Sequence, residues 1–138
     1  MGLTVLDAGV IIAILNAADV HHARARGSWR QSGTEGISSS LPVSAYAEVL
    51  VAPYRHGVGA TVAVDEFLDS VPVSVEPATR EIAHRAAELR ARHGNRLRLP
   101  DSLVVATAIV LEADGVVTTD ARWPDFGVLV EVIGGSPG

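Results

Sequence analysis

LPDSLVVATAIVLEADGVVTTD, residues 99–120, decides how this chain folds. From Leu103 to Leu111 every residue but Thr107 is apolar, so a helix here is apolar on all faces and has to be buried. Pro100 suits its first turn and Gly115 its exit. Val116, Val117 and Thr118 are β-branched and follow a turn, which predicts a short buried strand running to Asp120. A helix that returns antiparallel to its strand starts near the strand's end. Asp101 at the start of the helix and Asp120 at the end of the strand are therefore expected to meet, although 19 positions separate them.

The same grammar extends through the chain. Leu3 to Leu6 is an apolar run ending at Asp7 and followed by Gly9, a buried strand turning directly into a helix that carries Val10, Ile11, Ile14 and Leu15. A second helix is expected with Asp19 as N-cap, running through Ala23 to Trp29, before a polar, turn-rich stretch from Gln31 to Gly36. Ile37 to Leu41 is the next strand. Val43, Tyr46, Ala47, Leu50, Val51 and Tyr54 then fall at helical spacing, with Glu48 one step beyond the edge of the stripe and His56 and Gly57 as the stop.

Residues 59–70 form another amphipathic helix with Val62, Val64, Phe67 and Leu68 as its apolar members, and Val71 to Val75 a strand. Pro77 opens a long helix to about His93 with Ile82, Ala86 and Leu89 inward, and Val128 to Val132 is the last strand. Residues 1–133 read as one domain and 134–138 as a disordered tail. Alternating strands and helices argue for a three-layer α/β domain with a mainly parallel sheet and right-handed crossovers.

Composition narrows the chemistry. The 138 residues include no cysteine, which excludes disulfides, thiolate nucleophiles and sulfur-ligated zinc and is compatible with a reducing cytoplasm. All 11 basic side chains are arginine, so Walker-type phosphate loops and Schiff bases are excluded too. A net charge of −5 gives no general attraction to nucleic acid, and a polyanion would have to meet a local arginine cluster or a bound metal. The apolar run Val10 to Leu15 is too short to span a bilayer, and the start of the chain lacks the basic segment of a signal peptide. A soluble, cytoplasmic protein is expected.

Ligands of parallel α/β sheets bind beyond the carboxyl ends of the strands. Asp7 and Asp120 sit at such ends, and Asp101 and Glu48 lie on helices that open on the same side. Each acid has a bland reading: Asp7 a helix cap, Asp120 a turn residue, Asp101 a favourable charge at a helix start, Glu48 a solvated carboxylate. Together they need more, because carboxylates within about 5 Å repel one another until some take up protons or a cation binds among them. With oxygen ligands only, the fitting ions are Mg²⁺ or Mn²⁺, which suit phosphate chemistry by activating a bound water. Six of the 11 arginines lie between Arg80 and Arg98. They read as a solvated helix face or, for Arg96 and Arg98 beside Asp101, as contacts to RNA phosphates. His21 and His22 point about 100° apart on a helix and cannot share a metal.

LDAGVIIAIL at 6–15, SAYAEVL at 44–50, LPDSLVVATA at 99–108 and TTDARWPDF at 118–126 resemble the PIN-domain ribonucleases, especially the VapC-like toxins of bacterial toxin–antitoxin pairs. The resemblance implies a three-layer α/β/α domain around a mainly parallel sheet of four to five strands, and a metal-dependent endoribonuclease silenced by a cognate antitoxin. It makes Asp7, Glu48, Asp101 and Asp120 the catalytic quartet, with Asp7, Asp101 and Asp120 on the metal and Thr118, the small hydroxyl residue two before the last acid, a substrate-binding residue beside Arg96 and Arg98. It also implies a homodimer whose helices over residues 43–68 accept an antitoxin helix. Two departures stand out. Position 9, often Ser, Asn or Thr in the family, is Gly9, so the backbone must substitute for a side chain that helps hold the first Asp. Either Asp120 or Asp125 could supply the last oxygen, and Asp120 is preferred because it directly ends the strand. The alternatives are a catalytically inactive metal-binding interaction module and an acidic-site phosphatase. Against the phosphatase stand the absence of lysine and of a second Asp two residues after Asp7.

Overall fold

The strands are β1 (Leu3–Leu6), β2 (Ser38–Pro42), β3 (Val73–Glu76), β4 (Gly115–Thr118) and β5 (Val130–Val132), in a computed structural model that describes residues 2–71 and 73–134. Between them run α1 (Ala8–Leu15), α2 (His22–Thr34), α3 (Val43–His56), α4 (Val58–Ser70), α5 (Arg80–His93), a 3₁₀ turn at Gly94–Arg96, and α6 (Leu99–Val110). The strands form one sheet in the order β3-β2-β1-β4-β5, and every neighbouring pair is parallel. Right-handed crossovers carry the chain from β1 outward to β2 and β3 over one face, then back from β3 to β4 over the other. This is the expected α/β architecture of three layers, with helices on both faces of the sheet.

The sheet centre is built from the most apolar strands. Val5, Leu6, Val116 and Val117 are all buried, as is Leu41 in β2. Ile11 and Ala13 of α1, Ala45 and Val49 of α3, and Val64 and Leu68 of α4 join the same core. The apolar stripe expected on α3 is not the buried face: Val43, Ala47, Val51 and Tyr54 are exposed and Ala45 and Val49 are buried instead, while Val62 of α4 is exposed too. Tyr46 on α3 donates its hydroxyl proton to the Asp65 carboxylate on α4, which ties that helix pair together. On the other face, Ile82, Ala86 and Leu89 of α5 pack on Val105 and Ala106 of α6, while Val104 and Ala108 of α6 belong to the main core. Helix α6 thus has apolar neighbours on both sides, which explains its nearly uninterrupted apolar sequence. Its two buried polar residues, Ser102 and Thr107, return their hydroxyls to the Arg98 and Leu103 carbonyls at 3.0 and 2.7 Å.

Several boundaries differ from the sequence expectation. Helix α2 runs to Thr34, through the polar stretch from Gln31 that reads as turn, because Ala25 alone of its residues is buried and a polar helix carries no stripe to mark its length. Asp19 does not cap it; its carboxylate accepts the His21 N–H at 2.8 Å in a turn, and His21 holds the cap position. Helix α5 starts after Thr79, whose hydroxyl accepts the Ile82 N–H at 3.2 Å, three residues later than Pro77 proposes. The exit of α6 is Glu112, at a left-handed φ of 53°, and not Gly115. Gly115 is the first residue of β4, where a Cβ would stand 2.9 Å from the Leu129 carbonyl oxygen on the way to β5. Among the described residues no helix is long and apolar enough to cross a membrane. Apart from Gly134, the expected tail at 134–138 lies outside the described residues.

Candidate functional site

The strand order reverses at β1, where the chain first builds outward to β3 and then returns to place β4 on the opposite side. Such a switch point leaves a crevice at the carboxyl ends of the two strands. Register sets what meets there: Leu6 is paired with Val117, so the next residues, Asp7 and Thr118, come level.

Asp7 caps α1 and stands at this edge. Its Oδ1 accepts the Ala8 N–H at 2.8 Å, capping α1, and its Oδ2 accepts the Thr118 hydroxyl at 2.7 Å. Each oxygen keeps a lone pair. Burial raises its pKa above the ordinary 3.8, against the lowering by Thr118 and Ala8. Thr118, fully buried at the end of β4, also accepts the Asp120 N–H at 3.1 Å. One hydroxyl therefore links the two acids that end β1 and β4.

Asp101 lies in the first turn of α6, where Pro100 and the turn at 94–96 deliver it to the same edge. Its carboxylate is 3.9 Å from Arg98 Nε, and burial followed by repulsion from Asp7 raises its pKa. Glu48, on the second turn of α3, is the most exposed of the four. Its pKa is raised first by partial burial and then by Asp7 and Asp101. Asp7 thus repels both Glu48 and Asp101, and Asp101 repels Glu48, which puts the three within electrostatic reach of one another.

Asp120 behaves differently. Two residues past β4, its Oδ1 accepts Arg122 Nε at 3.1 Å and the Arg122 N–H at 2.9 Å, and its Oδ2 accepts Nη2 at 3.3 Å. This fork holds its pKa below 3.8. A cleft of about 370 Å³ is lined by Asp101, Asp120, Asn95, Arg96, Arg98 and Arg122. Arg98 lowers the pKa of all four acids, although its own side chain is largely exposed. Asp125 is exposed and accepts the Gly127 N–H at 2.8 Å, holding a turn outside this cleft.

Sequence reading missed Arg122, although an arginine two residues after a strand-ending Asp was the available signal. At Gly9, where the family often has a side chain that helps hold the first Asp, the backbone N–H of Ala8 bonds Asp7 Oδ1 at 2.8 Å. A Cβ at Gly9 would lie 2.3 Å from Thr119 Oγ1, so Thr119 fills the space beside it. The histidines lie outside the cleft: the His22 ring bonds the Ala13 carbonyl at 2.7 Å through Nδ1, and His21 packs against Gly134.

The donor set fits a hard divalent cation. It is all oxygen, three of its four acids are held above their ordinary pKa by burial and mutual repulsion, and a cation among them relieves both. Among the described residues no three acids or histidines stand close enough together to hold a metal ion between them. The site as it stands is an open cleft rather than a finished cage.

The model of the PIN domain family matches residues 4–129. Among solved structures, the Mycobacterium tuberculosis toxin VapC20, described as cleaving the sarcin-ricin loop, is similar at a TM-score of 0.68 and 23% identity, over 82% of this chain and 86% of that one. VapBC2 from Rickettsia felis, bound to a DNA fragment from its promoter, gives 0.74 and 14%, over 94% and 98%. FitAcB from Neisseria gonorrhoeae gives 0.70 and 21%, over 92% and 95%. No curated protein sequence matches the chain. A family match over nearly the whole chain, on a parallel sheet with acids at its switch point, has one conclusion: the chain belongs to the PIN-domain family.

Proposed function

We propose that the chain is a Mg²⁺- or Mn²⁺-dependent endoribonuclease and the toxin of a cytoplasmic toxin–antitoxin pair. The observation that carries this reading is the linkage of Asp7 to Asp120 through the Thr118 hydroxyl at the switch point, with Asp101 coupled to both acids across the same edge. Asp7, Asp101 and Asp120 would hold the ion, which when bound supplies a water of lowered pKa and offsets charge on the phosphate. Glu48, the exposed acid that repels Asp7 and Asp101, accepts the proton of the attacking water. Arg96 and Arg98 hold the scissile phosphate and its neighbour by charge-assisted hydrogen bonds. The water oxygen bonds to phosphorus and the bond to the 3′-oxygen breaks. The 3′-oxygen leaves with a solvent proton, giving 5′-phosphate and 3′-hydroxyl ends.

The partner reading has its own support. Between α1, α3 and α4 lies an apolar groove of about 450 Å³ lined by Ile12, Leu15, Val49, Ala52, Pro53 and Ala60 among others. Val51, Tyr54, Val58 and Val62 are exposed on the same two helices. An amphipathic antitoxin helix fits such a groove, and a homodimer would cover further apolar surface.

Cleavage of RNA by the purified protein tests the function. Activity is expected to disappear in EDTA and to return with Mn²⁺. Asn at Asp7, Asp101 or Asp120 should each lower it by about two or more orders of magnitude, and Glu48→Gln by less. His21→Ala and His22→Ala should be nearly silent. Cleavage that persists in EDTA, or that leaves 2′,3′-cyclic phosphates, would sink the reading. Light scattering and capture of the product of an adjacent small gene test the dimer and the antitoxin.

A further inference from the structure

Asp7, Asp101 and Asp120 would share a bound divalent ion if the nuclease reading holds, yet Asp120 already has a guanidinium forked onto it, whereas Asp101 meets Arg98 only at 3.9 Å. Arg122 approaches it through both Nε and Nη2, at 3.1 and 3.3 Å, and the Arg122 backbone N–H adds a third bond at 2.9 Å. This is the fork geometry in which a guanidinium satisfies both oxygens of a carboxylate. The pair is local, two residues apart, and the side chain is 86% exposed. Arg122 also draws down the pKa of Asp101, so its charge stands where two of the proposed ligands meet. It lines the same cleft as Arg96 and Arg98. Of these three arginines, Arg122 alone closes a fork on an acid; Arg98 stands 3.9 Å from Asp101 through a single nitrogen.

From this geometry we propose that Arg122 is a built-in stand-in for the metal: its guanidinium occupies Asp120 while the site is empty and is displaced when a divalent ion binds. The proposal rests on the metal-dependent reading above. Two physical facts favour exchange over a permanent salt bridge. The guanidinium is solvated on one side, so leaving exposes little that was buried. A divalent ion also interacts with Asp7 and Asp101 together, whereas the single charge of Arg122 reaches only Asp101 besides its own partner. The consequence is a tuned affinity. The empty acid cluster is kept from full self-repulsion, and the metal has to compete for one of its ligands.

Binding of Mn²⁺ alone to the full chain, read from the free-ion signal in electron paramagnetic resonance, tests this without any RNA. The parent, Arg122→Gln, Arg96→Gln and Asp101→Asn are compared. Loss of any nearby positive charge tightens a cation, and Arg96→Gln measures that general effect because Arg96 lines the cleft and, among the described residues, makes no ion pair with an acid. Arg122→Gln is expected to tighten Mn²⁺ by up to about fivefold beyond Arg96→Gln, the ceiling for an exposed ion pair. Equal affinities in these two variants, with Asp101→Asn still abolishing binding, would overturn the stand-in role and leave the nuclease reading intact. No binding by the parent would overturn both. Nitrogen-15 spectra of the arginine Nε–H groups give a second readout: the signal lost in Arg122→Gln should move toward those of solvated arginines as Mg²⁺ saturates the parent. An unmoved signal at saturation would also refute displacement.

Discussion

Thr118→Val deletes one oxygen and keeps the shape of a side chain with no exposed surface. That oxygen donates to Asp7 Oδ2 at 2.7 Å and accepts from the Asp120 N–H at 3.1 Å. The first bond is to a carboxylate, worth about 1.5–3 kcal/mol, and the second is a neutral bond worth about 0.5–1.5 kcal/mol. Both partners are part-buried and can recover some hydration, so about 2–4 kcal/mol is the expected loss. An unfolding entropy of about 2.1 cal/mol/K per residue over 138 residues makes that a fall in Tm of about 7–14 °C. The loss depends on pH with a definite sign. The Thr118 bond lowers the pKa of Asp7, so without it the carboxyl rises further and takes up a proton more readily. The gap between parent and variant should therefore be widest at pH 7 and narrow as the pH falls through the raised pKa. Thr118→Ser, which keeps the hydroxyl, should recover most of the loss. Thermal unfolding in EDTA at pH 5 and pH 7 reads all of this. A Thr118→Val protein melting within about 2 °C of the parent at pH 7 would refute the reasoning, leaving Asp7 to be held by its cap and its burial alone.

Neutralising Asp101 removes a charge that burial and Asp7 both disfavour, so Asp101→Asn should melt higher than the parent in EDTA at pH 7 and lose stabilisation by Mn²⁺. A lower melting point would mean that the helix-start contribution of about 0.3–1 kcal/mol wins and Asp101 is structural. Because the folded pKa of Asp101 is raised above 3.8, the native state binds more protons than the unfolded chain in the window between the two values. Stability from this group falls as pH rises through that window, so the gap between Asp101→Asn and the parent should grow from pH 4 to pH 7; a constant gap would contradict the shift. Gly9→Ala places a Cβ 2.3 Å from Thr119 Oγ1. Thr119 is partly exposed and can turn aside, so the expected cost is about 0.5–1.5 kcal/mol, recovered by adding Thr119→Ala. A double variant no more stable than Gly9→Ala in urea unfolding would show that the two positions are not coupled.

The sequence by itself determined the layers and the edge. Alternating β-branched runs and helical stripes specify a parallel sheet with covering helices, since burial at the sheet centre favours the largely apolar strands Leu3–Leu6 and Gly115–Thr118. Strand ends are local events, so Asp7 and Asp120 could be placed at the carboxyl edge from neighbours alone, and the apolar helix from Leu103 made Asp101 join them. What the sequence could not rank was side-chain partnership. The bond from Thr118 to Asp7 spans 111 positions and depends on the pairing of β1 with β4, a register that no local pattern encodes. The filling of Gly9 by Thr119 depends on the same pairing. Helix α2 was underestimated because a helix with one buried residue, Ala25, has no periodic signature; its length follows from resting on α1, which only the assembled fold supplies. The fork of Arg122 on Asp120 is local in sequence, yet its meaning is tertiary: the guanidinium bears on the site only because α6 brings Asp101 to the same cleft.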